Sequence, residues 1–463
     1  MLDNFSEIVY LSDSYKVTHW PQYRSGTTNV YSYFESRGGR SGDTVFFGLQ
    51  YILKRYLVGR VVTLPMVLDA YETYSEHFGN PALFNLHGWS HIVRDHGGRL
   101  PLRIKAVPEG TVVPVRNVLM TVENTCPQCY WLTNFMETLL VQAWYGTSVA
   151  TQSRNIKKNI LQWLNETGDP SLIDFKLHDF GFRGVSSVES AAIGGAAHLV
   201  NFKGTDTIVA LRLLQKAYGA ARAAGHSIPA AEHSTITSWG KAHEVDAYRN
   251  MLEQFPSGLV AIVSDSYNIR TAVSTYFGQE LRQRVLERDG VVVIRPDSGY
   301  PRDVVLDVTR RLGEAFGYAK NAKGYKVLNP KVRVIQGDGV NRDSIDDILL
   351  GLSADKWSAD NVAFGMGGAL LQKLDRDTHK FAFKCSSTVC NGVQSDVFKD
   401  PVTDTGKRSK AGRLALAQTN DGEYVTVPEE MTHYAVNELV EVFRDGELLV
   451  DQSLGEIRQR AAA

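Results

Sequence analysis

The stretch VVVIRPDSG, residues 291–299, shows the pattern that decides the fold of this chain. A run of Val and Ile ends in Arg, Pro, Asp, Ser and Gly, and a helical pattern follows. Short β-branched runs bounded by Gly, Pro and Asp are typical of buried strands. A strand followed directly by a helix is the building unit of a parallel sheet.

Six other segments in the middle of the chain repeat this pattern. They are FKLHDFGFRG (175–184), VNFKGTD (200–206), PAAEH (229–233), LVAIVSDSYN (259–268), VRVIQGDG (332–339) and NVAFGMGG (361–368). Their polar ends recur every 26 to 41 residues, which fits repeated strand–helix units. We predict an α/β fold with an irregular β/α barrel, in which the polar ends meet at one edge. An open, doubly wound sheet is the alternative.

The flanking segments have a different character. Residues 28–35 and 101–123 read as strands, 131–145 and 153–166 as helices, and the chain beyond 376 is rich in strands. Hairpin turns are indicated at Asn420-Asp421-Gly422 and at Asp445-Gly446. We therefore predict a second α+β domain built from the N- and C-terminal segments, 1–167 and 377–463, around a barrel domain at 168–376.

Composition narrows the class of protein. The 50 basic and 51 acidic residues nearly cancel, whereas a protein that binds nucleic acid or a membrane surface usually has a basic excess. We see no secretory leader and no apolar run of membrane-spanning length, so we expect a soluble, cytoplasmic protein. Cys126 and Cys129 have zinc-ligand spacing, but the other pair, Cys385 and Cys390, does not match it. We expect all four to be packing residues in a reducing compartment.

The strand ends carry groups that suit phosphate chemistry. The acidic ends SDS (264–266), RPDSG (295–299) and QGDG (336–339) could hold Mg²⁺, mostly through water and substrate phosphates, or could cap the helices that follow. The run Gly365-Met366-Gly367-Gly368 could cradle a phosphate with its backbone N–H groups. Arginines near these strand ends suit phosphate contacts. The basic loop at 399–413 could also bind phosphate, although a solvated surface loop is the simpler interpretation.

The local sequence leaves the roles of two residues undecided. Asp206 could cap the next helix or face a ligand. His233 could be a hydrogen-bonded core histidine or a reactive group. The sequence contains no Walker A motif, dinucleotide fingerprint or HExxH motif. Its local features therefore predict an enzyme that handles phosphate groups and no more specific activity.

Ten motifs in order resemble the nicotinamide phosphoribosyltransferase family. They are DSYKVTHW, YSYFESR, HDFGFRGVSS, NFKGTDT, PAAEHSTITSWG, SDSYN, IRPDSG, VIQGDGV, FGMGG and KDP with KRSKAGR. The resemblance implies transfer of ribose 5-phosphate from phosphoribosyl pyrophosphate to nicotinamide, giving nicotinamide mononucleotide and pyrophosphate. It also implies ATP as co-substrate, Mg²⁺, and a homodimer with shared active sites. Nicotinate or quinolinate phosphoribosyltransferase is the alternative enzyme; an extracellular signalling role and nucleic-acid binding fit the sequence less well.

The resemblance assigns roles to individual positions. Nicotinamide would be bound by Phe180, Asp206, Arg295 and the partner's Tyr15. The ribose and its phosphate would be bound by Arg183, Asp297, Gly337, Asp338, Gly367 and Gly368, with Asp13 and Arg376 from across the dimer. Polyphosphate would be bound by Arg37, Lys384, Lys399 and Lys407. His233 would accept phosphate from ATP, positioned by Asp265 or, second, by Glu232, while Asp265 and Asp297 would face Mg²⁺.

Overall fold

The computed structural model describes residues 6–403, 407–433 and 436–462. It forms two compact units. Unit 1 comprises Met1–Thr151, Leu214–Ala220 and Asp375–Ala463, and unit 2 comprises Gln152–Leu213 and Ala221–Leu374. The sequence predicted 168–376 for the corresponding central domain.

Nineteen strands are described. In chain order they are β1 Thr27–Ser36, β2 Asp43–Val45, β3 Leu102–Ala106, β4 Val112–Pro114, β5 Val118–Asn124, β6 Leu177–Asp179, β7 Gly204–Thr205, β8 Ser257–Val263, β9 Asp289–Arg295, β10 Tyr318–Lys320, β11 Lys326–Leu328, β12 Val332–Gln336, β13 Val362–Met366, β14 Phe381–Cys390, β15 Val393–Asp396, β16 Leu414–Gln418, β17 Tyr424–Pro428, β18 Val440–Arg444 and β19 Glu447–Leu448.

Seventeen α-helices are described. They are α1 Ser14–Val17, α2 Leu49–Ile52, α3 Leu64–Phe78, α4 Leu86–Asp95, α5 Leu132–Phe135, α6 Glu137–Leu140, α7 Ala143–Thr167, α8 Val188–His198, α9 Ile208–Ala217, α10 His233–Thr237, α11 Glu244–Gln254, α12 Ile269–Thr271, α13 Arg282–Glu287, α14 Pro301–Phe316, α15 Arg342–Ala354, α16 Gly368–Leu371 and α17 Leu454–Ala462. Within the described residues, none of the helices has the length and apolar character that a membrane crossing requires.

Unit 2 is built around a parallel sheet of six strands in the order β7-β6-β13-β12-β9-β8. The segment 226–231 joins its two edges. His226 pairs with Gly204 in β7, and Ala230 pairs with Ala261 in β8, both in the parallel sense. With this segment the strands form a closed ring, so the prediction of an irregular β/α barrel is confirmed.

The closing segment is irregular for a reason that its sequence explains. Pro229 has no backbone N–H and cannot donate to a sheet ladder. Its carbonyl still accepts a hydrogen bond from Ala261 N–H at 2.9 Å, and Ala231 N–H donates to the Ala261 carbonyl at 2.9 Å. The segment therefore pairs at isolated points rather than as a continuous strand.

Unit 1 is built around an antiparallel sheet that joins the two ends of the chain. Its strand order is β15-β14-β1-β5-β3-β18-β19. The long strand β1 pairs with β5 on one side and with β14 on the other. Phe34 and Phe381, one from each of the paired strands β1 and β14, stack at 5.1 Å between ring centroids. The predicted second α+β domain, built from the N- and C-terminal segments, is confirmed.

The structure agrees with the predicted turn at Asp445-Gly446 and differs from the predicted helix at 131–145. Asp445 and Gly446 both have positive φ, 49° and 85°, as a tight hairpin turn between β18 and β19 requires. The single helix predicted at 131–145 is wrong: α5 ends at Phe135, and ψ of −7° at Met136 breaks the regular helical geometry. The chain then forms α6 and, from Ala143, the long helix α7.

Candidate active site

The polar strand ends of unit 2 lie on one edge of the barrel, which we call the C-terminal rim. Each follows the last residue of its strand or closing segment by one or two positions. The rim residues are Phe180, Asp206, His233, Asp265, Asp297, Asp338 and Gly367. The fold thus brings together side chains that are far apart in the sequence, because parallel strands place their C-terminal ends on the same side.

A cavity of about 840 Å³ opens at this rim, a size suited to a small-molecule substrate. Eight of the residues singled out in the sequence line it: Phe180, Arg183, Asp206, Arg295, Asp297, Gly337, Asp338 and Gly367. Five others were given no individual role by the sequence: Phe182, Val185, Ser187, Val188 and Thr207. The first four of these lie in the loop and first helical turn after β6.

His233 is held at the rim by an aspartate from the neighbouring strand. It is the first residue of the short helix α10, and its side chain is 46% exposed. Its Nε2 lies 3.0 Å from Asp265 Oδ1, and its Nδ1 lies 3.9 Å from Asp297 Oδ2. Glu232, the other partner considered, accepts a hydrogen bond from Ser234 instead. The histidine is therefore a solvent-accessible group with a fixed ring orientation.

Asp265 is almost fully buried and fully hydrogen-bonded. Its Oδ2 accepts hydrogen bonds from Asp297 N–H at 2.9 Å and from the Ser298 hydroxyl. Burial opposes ionisation of this carboxyl, but the hydrogen bonds from Ser298, His233 and Asp297 outweigh it and lower its pKa. A buried carboxylate in this position fixes the proton of His233 on Nε2, which leaves the lone pair on Nδ1.

An aromatic ring and a guanidinium form a second part of the rim. Arg295 lies over the Phe180 ring with its Cζ 5.6 Å from the ring centroid, and it donates to Asp297 Oδ1 at 2.8 Å. Gly365 is required here, because a Cβ at that position would lie 1.9 Å from Phe180 Cε2. Because Phe180 lines the cavity, its ring can stack on a flat ligand that lies beside the guanidinium.

Asp206 is an exposed carboxylate at the cavity wall. The helix α9 begins at Ile208, and the backbone N–H of Thr207 is capped by Thr205 Oγ1 at 3.0 Å. Asp206 itself accepts a hydrogen bond on Oδ1 from Ser227, a partner that the sequence did not indicate. The geometry supports the ligand-facing interpretation of Asp206 over the helix cap.

Beneath Asp206 lies a buried acid that the sequence analysis missed. Asp179, at the end of β6, accepts a hydrogen bond from Gly181 N–H at 2.7 Å. Burial, together with the nearby Asp206 charge, raises its pKa to about 6 in spite of the hydrogen bonds it accepts. Asp179 supports the loop that carries Phe180 and Arg183, and does not line the cavity.

The remaining rim carries glycines and backbone donors. Gln336, at the end of β12, donates through Nε2 to the carbonyl of Asp338 at 2.7 Å and so fixes the Gly337-Asp338-Gly339 turn. Gly184 and Gly368 pack so closely that a Cβ on Gly184 would lie 3.2 Å from Gly368 Cα. Gly337 and Gly367 line the cavity, and a glycine-lined wall suits an anion because no side chain shields the backbone N–H groups.

The two aspartates that the resemblance assigns to Mg²⁺ differ in how many of their carboxylate oxygens already accept hydrogen bonds. Both oxygens of Asp265 already accept hydrogen bonds, whereas Asp297 has one oxygen on Arg295 and the other 3.9 Å from His233 Nδ1. Among the described residues, no group of three His, Cys, Asp or Glu side chains converges at the rim. This donor set fits Mg²⁺ held by one carboxylate with water and phosphates, and does not fit an all-protein metal site.

The other residues singled out in the sequence belong to unit 1. Tyr15 is 58% exposed, and Asp13 accepts a hydrogen bond from Thr138 at 2.7 Å. Arg37 donates to Glu35 at 2.9 Å and lines a cavity of about 500 Å³. Burial lowers the pKa of Lys384. Arg376, Lys399 and Lys407 are exposed.

Comparisons with known proteins agree on one family. The family model of the nicotinate phosphoribosyltransferases matches residues 175–447, and that of the nicotinamide phosphoribosyltransferase N-terminal domain matches residues 7–104.

Relatives named nicotinamide phosphoribosyltransferase match nearly the whole chain. The one from Xanthomonas campestris is 52% identical and covers 100% of this chain and 99% of its own length. The one from Acinetobacter baylyi is 34% identical and covers 97% and 96%.

Two solved structures share the fold at low identity. The nicotinate-nucleotide pyrophosphorylase of Pyrococcus furiosus has a TM-score of 0.62 at 15% identity and covers 99% of this chain and 96% of its own. The human nicotinic acid phosphoribosyltransferase has a TM-score of 0.60 at 15% identity and covers 98% and 93%. The chain belongs to the family of the nicotinate and nicotinamide phosphoribosyltransferases.

Proposed function

We propose that this chain transfers ribose 5-phosphate from phosphoribosyl pyrophosphate to nicotinamide, and that ATP hydrolysis through a phosphohistidine at His233 drives the reaction. The product, nicotinamide mononucleotide, would enter NAD salvage. The observation that carries the proposal is the His233–Asp265 pair, with Nε2 to Oδ1 at 3.0 Å, at the rim whose cavity Phe180 and Asp206 line. The full-length match to relatives named for this activity supports it.

Nicotinamide fits the aromatic side of the cavity. Its ring would stack on Phe180 beside Arg295, and its carboxamide NH₂ would donate to Asp206. The Ser227 hydroxyl donates to Asp206 Oδ1, and Oδ2 would accept from the carboxamide. A carboxylate here would repel the carboxylate of nicotinic acid, which makes nicotinate the second candidate substrate and the poorer one.

The transfer needs no general base. The pyridine nitrogen has a free lone pair that forms the new bond to the anomeric carbon, while the bond to pyrophosphate breaks and its electrons leave with the pyrophosphate. What the protein must do is align the two substrates and stabilise the developing charges. Arg183, Gly337 and Gly367 line the cavity, and the guanidinium and the glycine backbone N–H groups would hold the phosphates. Bound Mg²⁺ would neutralise the leaving pyrophosphate, and Asp297 would orient its water ligands.

His233 can act as the phosphate acceptor because its ring is fixed. With the proton on Nε2 held by Asp265, Nδ1 attacks the γ-phosphorus of ATP, and the bond from that phosphorus to the β-phosphate oxygen breaks, releasing ADP. Water later cleaves the phosphohistidine. An imidazole that is 46% exposed at the rim is accessible to a nucleotide.

The proposal has two finer parts, which concern assembly and location. One is a homodimer, for which the exposed Tyr15 ring and Arg376 would offer contacts to a second chain. The other is a cytoplasmic location.

One assay tests the reaction and the role of ATP together. Purified chain is incubated with phosphoribosyl pyrophosphate and either nicotinamide or nicotinic acid, with and without ATP, and the mononucleotide is measured by chromatography. We expect nicotinamide mononucleotide, more of it with ATP, and little nicotinate product. The His233→Ala variant should retain slow ATP-independent transfer and lose ATP hydrolysis and acid-labile labelling. A chain that prefers nicotinic acid, or a variant that still hydrolyses ATP, would contradict the proposal.

A further inference from the structure

Four potential metal ligands converge in unit 1, in a part of the chain that the proposed reaction does not use. They are His91, His96, Cys126 and Cys129, and their ligand atoms all lie within 4.8 Å of one another. The two cysteines are unpaired thiols, and Cys129 is fully buried. Two thiols and two imidazoles form the donor set that Zn²⁺ prefers in structural sites.

The cysteines come from a tight turn after β5. Pro127–Cys129 forms one 3₁₀ turn, in which Cys129 N–H donates to the Cys126 carbonyl at 2.9 Å. Asn124 Nδ2 also donates to that carbonyl at 2.8 Å and to the Thr28 carbonyl at 2.9 Å. The turn is therefore anchored to the sheet, and it presents both sulfur atoms to the same side.

The histidines come from the end of α4. Residues five apart on a regular helix point about 140° apart, so His91 and His96 would not meet if the helix continued. The helix ends at Asp95, and His96 adopts ψ of 8°. This change of direction brings the two rings to 5.2 Å between centroids.

One histidine already has the partner that metal-bound histidines usually have. Asp95 Oδ2 lies 2.5 Å from His91 Nδ1, and His91 Nε2 lies 3.3 Å from Cys126 Sγ. A carboxylate on one ring nitrogen fixes the tautomer that leaves the other nitrogen free to bind the metal. His91 is thus oriented with its ligating nitrogen toward the thiols.

We propose that His91, His96, Cys126 and Cys129 bind one Zn²⁺ ion in a closed tetrahedral site that fastens the end of α4 to the turn after β5. The spacing H-x₄-H and C-x₂-C falls within the range of zinc sites, in reversed order. Bonds of about 2.0–2.3 Å would separate the ligand atoms by roughly 3.3–3.8 Å, which small side-chain rotations achieve. Four protein ligands leave no open position, so the ion has a structural role.

Metal content of the full chain, expressed without a histidine tag, tests the site directly. We expect one zinc per chain by mass spectrometry after gel filtration, and loss of the metal in the Cys126→Ser, Cys129→Ser double variant. The matched control is the Cys385→Ser, Cys390→Ser double variant, which should keep its zinc. Asp95→Asn should bind zinc roughly 10–100-fold more weakly, since it removes the partner of His91 and no ligand.

Spectroscopy of the unaltered chain avoids dependence on variants that could misfold. X-ray absorption at the zinc edge should show two sulfur ligands at about 2.3 Å and two nitrogen ligands at about 2.0 Å. Cobalt exchanged into the site should give the strong visible bands of a tetrahedral complex and a thiolate charge-transfer band. A chain that contains no zinc after growth with zinc and instead has Cys126 and Cys129 joined as a disulfide would overturn the proposal. So would zinc retained by the Cys126→Ser, Cys129→Ser variant.

Discussion

The change Asp265→Asn tests the geometry at His233 with almost no change in size. In the structure Asp265 Oδ2 accepts hydrogen bonds from Asp297 N–H and Ser298, and Oδ1 faces His233 Nε2. An asparagine must keep its oxygen toward the first two donors, because an NH₂ group cannot accept from them. Its NH₂ then faces Nε2, which would have to accept, and the proton of His233 would move to Nδ1. The atom that attacks ATP would lose its lone pair.

The size of the effect follows from the bond that is lost. A hydrogen bond from His233 to a buried carboxylate, here with 5% side-chain exposure, contributes about 1.5–3 kcal/mol. Because each 1.36 kcal/mol is about tenfold in rate, phosphorylation of His233 should slow roughly 10–150-fold. Ser298→Ala, which removes one donor to Asp265 and leaves the tautomer unchanged, should cost about 1 kcal/mol, or roughly fivefold.

The assay is the rate of acid-labile labelling from ATP that carries radioactive γ-phosphate. Asp303→Asn, the same chemical change at an exposed position in the first turn of α14, is the matched control and should label at the unaltered rate. The ring position of the phosphate is read by chromatography of digested protein, and we expect it on Nδ1. Phosphate on Nε2, or unaltered labelling in Asp265→Asn, would refute the argument.

Three further changes probe the rim and its support. Asp206→Asn should lower kcat/KM for nicotinamide and relax discrimination against nicotinic acid; unchanged selectivity would restore the helix-cap interpretation. Gly365→Ala places a Cβ against Phe180 and should raise KM for nicotinamide at a cost of roughly 1–3 kcal/mol, whereas Gly42→Ala, with nothing within 4 Å, should leave it unchanged. Asp179 has a raised pKa, so its contribution to the free energy of unfolding falls as pH rises from 3.8 to about 6. Asp179→Asn should remove that fall, and its stability relative to the unaltered chain should rise by about 3 kcal/mol across this window in urea unfolding.

For Asp179→Asn, the quantity to compare is the difference in free energy of unfolding between the variant and the unaltered chain at each pH. His198 and His379 are buried, and burial lowers their pKa values to about 3 and about 4. A histidine with a lowered pKa stabilises the fold above its ordinary pKa and loses that contribution as pH falls, the opposite sense to Asp179. Their contributions cancel in the difference. A difference that does not vary with pH would contradict the raised pKa of Asp179.

The barrel could be predicted from the sequence because each of its strands is marked by a pattern of neighbouring residues. A parallel strand buried on both sides reads as a short apolar run, and the polar residue that ends it is adjacent in the chain. All of the segments predicted as strands in this way took part in the ring. The way in which the ring closes could not be predicted, because Pro229 and the isolated pairs of residues 226–231 have no ladder pattern.

Contacts between residues that are far apart in the sequence could not be predicted from local patterns. Nothing near Asp206 indicates that Ser227 will donate to it, and the buried position of Asp179 depends on the loop that folds over it. The four ligands of the proposed zinc site were separated in the same way. Their cysteine pair was visible, but the histidines lie on a helix about thirty residues earlier and meet only because that helix ends at Asp95.

Position around the ring, and not nearness in sequence, decides which residues act with His233. Glu232 is its neighbour in the chain, yet the partner is Asp265, one strand–helix unit later, because the closing segment lies beside β8. Asp297 follows the next strand, β9; its N–H donates to Asp265, and its carboxylate accepts from Arg295. Arg295 in turn covers the Phe180 ring. An unbroken series of contacts therefore joins the proposed phosphate acceptor to the proposed nicotinamide platform.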